Sequence, residues 1–262
     1  MRQYDPVDEI DYREYPDARA AVAGILQEVP PAHVYAIGEY HPTKPSMEPP
    51  LRRFTSDIID QLAPHAKHLL VESWLDDGCT SSETVHMQVM RVTHRPPASA
   101  EAVESLFAAS VGLRLTPHEL QMTCLEHGSL LDAGGNVDFL RLLEMITEKL
   151  HDSAKNLSSE GVIVYGGALH NDLYPSWPLA DLSYAHTLAG ELGPGGVLEL
   201  DLVSPEVVAP MAMVRAEPWF PLLSRAAPGR ALVWRRAPDS YVVILPAQSL
   251  EPAKVAMVRE PI

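Results

Sequence analysis

The sequence predicts one α/β domain with a largely parallel central sheet flanked by helices, and three observations carry that expectation. Short apolar runs of strand length alternate with amphipathic stretches of roughly 10–20 residues, the signature of βαβ units. The runs are apolar on both faces, as in strands covered by helices on either side. The last two runs flank Ala237-Pro238-Asp239-Ser240 and read as a C-terminal hairpin over about residues 230–246.

Taken in order, the first helix is expected from about Asp17 to Glu28, stopped by Pro30-Pro31. His33–Ile37 is a short apolar strand. Leu51 to Leu62 then places Phe54, Ile58, Ile59 and Leu62 on one helical face. Lys67–Val71 is the second strand and ends at Glu72. Residues 73–97, with Asp76-Asp77-Gly78 and Arg95-Pro96-Pro97, read as a loop or lid. A helix is expected from Ser99 to Gly112, and a third strand over Glu119–Leu125 runs into Glu126-His127-Gly128. A long amphipathic helix from Asn136 to about Asn156 carries Phe139, Leu140, Leu143, Ile146 and Leu150, with Asn136 as its cap. Val162–Tyr165 is the fourth strand, Leu182 to Leu192 a helix, and Val197–Val203 the fifth strand. Runs at Arg230–Arg235 and Tyr241–Leu245 make the hairpin.

The length of 262 residues suits a single domain spanning 1–262. A net charge of −15 and a pI of about 5.1 argue against nucleic acid or an anionic membrane as partner. No stretch reaches the roughly 20 apolar residues of a membrane span. The acidic N-terminus lacks a signal-peptide core, so a cytoplasmic protein is expected. Two cysteines, Cys79 and Cys124, are too few for a disulfide framework and lack zinc-ligand spacing. Gly-x-Ser-x-Gly, phosphate-loop and dinucleotide fingerprints are all missing from the sequence.

What remains is a pair of Gly-x-x-His motifs, each behind an apolar strand: Gly38-Glu39-Tyr40-His41 and Gly167-Ala168-Leu169-His170. With 15 glycines and 11 histidines, chance predicts roughly 0.6 such matches, so only the shared strand context makes the pair informative. Ligands of parallel sheets sit outside the carboxyl ends of the strands. That edge would collect Glu39, His41, Glu72, Glu126, His127, His170 and Asp172. Glu39, His41, Glu72 and His170 form the candidate catalytic set: an imidazole as base towards water, a carboxylate to orient it, and a second imidazole to polarise substrate. His41, His170 and Glu72 would also make a His₂Glu site for a divalent metal such as zinc or manganese. Tyr40, Glu126, His127 and Asp172 are the candidate substrate contacts. The plain alternatives are that the histidines only close strand ends, that Glu72 pairs with Arg52 or Arg53, that Asp172 caps a helix, and that Tyr40 and Tyr165 simply pack.

The two motifs, with the carboxylate in the first and Glu72 ending the next strand, resemble the erythromycin esterase/ChaN-like superfamily, which includes Tiki and TraB proteins. Tyr165-Gly166-Gly167-Ala168-Leu169-His170 is similar to its second signature, and the likeness covers about residues 33–203. The resemblance implies an α/β fold and, by position, Glu39, His41, Glu72 and His170 as functional residues. Activities in the group include metal-independent ester hydrolysis, metal-dependent proteolysis and haem-iron binding. The expected function is therefore a hydrolase of an ester or amide bond. The alternative is a non-catalytic protein that binds a peptide, a small molecule or, less readily, haem, with a place in natural-product biosynthesis. A free terminal hairpin also suits a homodimer or a heterodimer with a related protein.

Overall fold

The strands are β1 (Tyr12–Tyr15), β2 (Val34–Glu39), β3 (His68–Leu75), β4 (Thr116–Gln121), β5 (Val162–Gly167), β6 (Val197–Val203), β7 (Ala231–Ala237) and β8 (Ser240–Ile244). The computed structural model describes residues 6–42, 47–75, 98–131, 134, 136–177 and 179–248. Within these residues all the strands belong to one sheet, in the order β1-β7-β8-β6-β2-β5-β3-β4. Neighbours from β8 to β4 pair in parallel, whereas β7 is antiparallel to both β1 and β8. The α/β class and the terminal hairpin are thus present. Most of the expected loop at 73–97 lies outside the described residues, and β3 runs past Glu72 to Leu75.

β2 sits at the centre, hydrogen-bonded to β5 on one side and β6 on the other. Its residues are buried throughout, as the doubly apolar run requires. Alternation sorts the sheet into two faces. Tyr35, Ile37, Leu69, Ile163, Tyr165 and Leu200 join one cluster with the helix Ala18–Glu28 and the segment 50–62. That segment is α-helical at Pro50–Arg53 and Ile59–Leu62, with a π-helical turn at Phe54–Ile58 between them. On the opposite face Val34, Ala36, Leu70, Val162 and Val164 pack under the helices Phe139–Leu157 and Tyr184–Leu192. A third cluster covers Val203, Val242 and Ile244 with Val207, Val214, Trp219 and Leu222.

Local chemistry explains where the elements begin. Asp17 caps the first helix by accepting from the Ala20 amide at 2.7 Å. The long helix starts at Phe139, capped by Asp138 onto the Arg141 amide, so Asn136 is not its cap. The third predicted strand is displaced: β4 covers Thr116–Gln121, and a helix spans Cys124–Ser129 where strand residues were expected. Thr123-Cys124-Leu125-Glu126 is a capping box that starts this helix. Pro117 cannot donate to a ladder and is accommodated because β4 is an edge strand. Cys124 is disulfide-bonded, a single cross-link rather than a framework. Among the described residues no helix is long and apolar enough to cross a membrane.

Candidate active site

The carboxyl ends of β2, β3 and β5 meet at one edge of the sheet, and glycines decide how closely. A Cβ on Gly38 would collide with Asp201 Oδ1 and stand 3.0 Å from the Ala168 Cα. At Gly166 it would come within 2.7 Å of Glu72 Oε2, and at Gly167 within 3.1 Å of His41 Nε2. These positions therefore need glycine for space, because the flanking carboxylates and ring occupy the volume of a methyl group.

Into that space β2 delivers a hydrogen-bonded chain. His41 Nδ1 lies 2.6 Å from Glu39 Oε1, and the Tyr165 hydroxyl donates to Glu39 Oε2. Glu39 is 8% exposed at its side chain and His41 25%, so the carboxylate is enclosed while the ring reaches the rim. An ionised carboxylate only accepts, so Nδ1 must carry the proton and Nε2 is the basic nitrogen. Nε2 lies beside Gly167, and Glu72 Oε2 accepts the Gly167 amide at 2.7 Å. An imidazole and a second carboxylate thus face the same glycine. Arg53 donates to the Pro246 carbonyl and Arg52 to Glu101, so the arginine pairings considered for Glu72 are taken up elsewhere.

His170 is held by the long helix. Gly38 lies inside β2, but Gly167 is the N-cap of the one-turn helix Ala168–Asn171. The same spacing consequently carries the second imidazole away from the strand direction. It is buried, with Nδ1 3.0 Å from Thr147 Oγ1 and 2.9 Å from the Leu182 carbonyl. These contacts fasten the Ala168–Asn171 turn to the long helix. No group of three His, Cys, Asp or Glu side chains among the described residues could hold a metal ion. The His41, His170 and Glu72 donors thus do not fit the expected metal centre, and no chemistry is derived through one.

The four expected substrate contacts also divide. Glu126 closes the capping box, accepting from the Thr123 amide at 2.7 Å and from Lys149 Nζ at 2.8 Å. The Lys149 ammonium and the Thr123 amide hold its carboxyl down at about 2. A carboxylate so engaged serves the fold rather than a ligand. The His127 side chain lies outside the described residues. Tyr40 and Asp172 line a cleft of about 320 Å³ with Asp201, Glu217, Trp219, Trp234 and Arg236. Asp172 does not cap the next helix but stands at the C-cap of Ala168–Asn171, where it pairs with Arg236 at 2.7 Å and accepts the Tyr174 amide.

The sequence reading passed over three residues here. Tyr165 was set down to packing, yet its hydroxyl holds the carboxylate that holds His41. Glu199 and Asp201 are buried on β6, in a run otherwise made of Val and Leu. Their signal was present: alternation puts both on the face that carries Val197 and Val203, against the apolar grain of the strand. Desolvation raises both carboxyls, Glu199 to about 7 and Asp201 well above its usual range.

The chain matches no protein-family model, no curated protein and no solved structure.

Proposed function

We propose that the chain is a hydrolase of an ester or amide bond, in which His41 Nε2 takes a proton from water and Glu39 fixes the tautomer that makes this possible. The observation that carries the reading is the Tyr165–Glu39–His41 hydrogen-bonded chain, with its 2.6 Å carboxylate–imidazole contact at the carboxyl edge of the central strand. Such a contact both orients the ring and stabilises the imidazolium that forms as water attacks. General-base catalysis of this kind contributes about 10²–10⁴-fold. Glu72, tied to the Gly167 amide, supplies a second fixed acceptor for the attacking water. In this reading His170 anchors the Ala168–Asn171 turn that carries Gly167 into place, as a positioning residue.

The motif resemblance to the erythromycin esterase/ChaN-like superfamily supports the same chemistry, and within that group it favours ester hydrolysis without a metal. The absence of a three-donor cluster among the described residues is the reason for that preference. The disulfide at Cys124 favours an oxidising compartment over the cytoplasm suggested by the sequence.

The test is a panel of aryl and alkyl esters and amides, followed by product release with and without prior treatment with a chelator. The reading expects at least one ester to be turned over at a rate the chelator does not change. Turnover that vanishes on chelation and returns with zinc or manganese would replace the metal-free mechanism. A fully folded protein inert towards the whole panel would count against the hydrolase.

A further inference from the structure

The cleft beside β6 is not part of the Glu39–His41 arrangement. Glu39 meets Tyr165 on the first face of the sheet, whereas the residue between Glu39 and His41, Tyr40, packs with the third cluster on the opposite face. There Tyr40 and Trp219 meet at 5.9 Å between ring centroids and 53° between planes, forming an aromatic corner. Trp234 adds a third ring to the lining. Asp201 stands in the same wall, 7% exposed, and its Oδ1 has no hydrogen-bond partner among the described residues. Glycine at position 38 is what leaves room for that oxygen.

A buried carboxylate oxygen without a partner is costly and calls for an explanation. The charges around it sharpen the question. Among the described residues, Asp172, Asp201 and Glu217 line the cleft against one cation, Arg236. That guanidinium is already committed, to Asp172 at 2.7 Å and to the Tyr174 carbonyl at 2.5 Å. The cleft is thus short of positive charge, and its apolar lining joins Tyr40, Trp219 and Trp234 to aliphatic side chains such as Leu169 and Val242.

We propose that this cleft is a binding site for a small organic ammonium ion, with the cation against the Tyr40–Trp219–Trp234 rings and its charge answered by Asp201 and Glu217. Aromatic rings attract such cations through their quadrupoles, more strongly where water is excluded. A volume of about 320 Å³ lies at the small end of ligand pockets. Burial, Glu199, Asp172 and Glu217 all raise the Asp201 carboxyl, and Arg236 opposes them. A bound cation adds to the Arg236 side of that balance and favours the ionised carboxylate.

Choline and its uncharged carbon isostere 3,3-dimethyl-1-butanol are the probes, titrated against the full chain by calorimetry and tryptophan fluorescence. Choline is expected to bind about tenfold or more tightly than the alcohol. Asp201→Asn, nearly isosteric, should weaken choline by about tenfold and leave the alcohol unchanged. Glu217→Gln, at the half-exposed rim, gives a second and milder loss that does not depend on a core substitution folding. Equal binding of the two probes, no choline binding at all, or Glu217→Gln and folded Asp201→Asn proteins that bind choline like the parent would each overturn the proposal. None of these outcomes depends on whether the chain hydrolyses an ester.

Discussion

Replacing His41 with alanine is expected to lower turnover of any ester the protein hydrolyses by at least about 10²-fold, with the substrate's KM little changed. The ring is the base of the proposed site, and among the described residues beside it Glu39 is enclosed and Glu72 holds the Gly167 amide. Stability should fall by about 1–3 kcal/mol, because the enclosed Glu39 Oε1 loses its imidazole partner while the quarter-exposed ring itself gives up little buried surface. Steady-state kinetics with a thermal melt of each protein checks both halves. Parent-like turnover in a folded His41→Ala protein would remove His41 from the chemistry.

Glu39→Gln should be nearly as damaging, for a different reason. An amide can present its –NH₂ to Nδ1, which reverses the tautomer and turns Nε2 from acceptor into donor. It also cannot stabilise the imidazolium that forms when water is deprotonated. Turnover is expected to fall about 10²-fold or more, in kcat rather than KM, while the Tyr165 hydroxyl keeps an oxygen to donate to. A folded variant with unchanged kcat would make Glu39 a fold residue only.

Much of the sheet was legible because its strands are buried on both faces. Val34–Ile37 and Val162–Tyr165 carry continuous apolar runs that admit few other readings, and Val197–Val203 is apolar apart from Glu199 and Asp201. The opposite case is β1, whose Tyr-Arg-Glu-Tyr sequence lies at the sheet edge with one residue exposed, and which no hydrophobic pattern reveals. Glu126 was misplaced for want of its local partner. Read with Thr123 it is a helix start, and read alone it looks like a polar strand end.

The site divides along the same line. Glu39 and His41 are two residues apart at a strand end, so sequence suffices to bring them together. Tyr165 reaches Glu39 across 126 residues of chain, through a register in which Gly167 pairs with Glu39 and Tyr165 with Ile37. Nothing in the sequence specifies that register in advance. The symmetry of the two Gly-x-x-His motifs was misleading for a conformational reason, since the first stays extended and the second turns into a helix. Equal spacing in sequence therefore sends one imidazole to the rim and the other under the long helix.

In the proposed site Glu39 sets His41 with its proton on Nδ1 and its basic lone pair on Nε2. Nitrogen-15 NMR of histidine-labelled protein reads this directly, with His41 assigned by its disappearance in His41→Ala. Expected are a strongly deshielded Nδ1–H proton and, in the uncharged ring, an unprotonated Nε2, with the Nδ1–H signal moving upfield or vanishing in Glu39→Gln. An uncharged His41 ring protonated on Nε2 in the parent protein, or an Nδ1 signal indifferent to Glu39→Gln, would contradict this assignment.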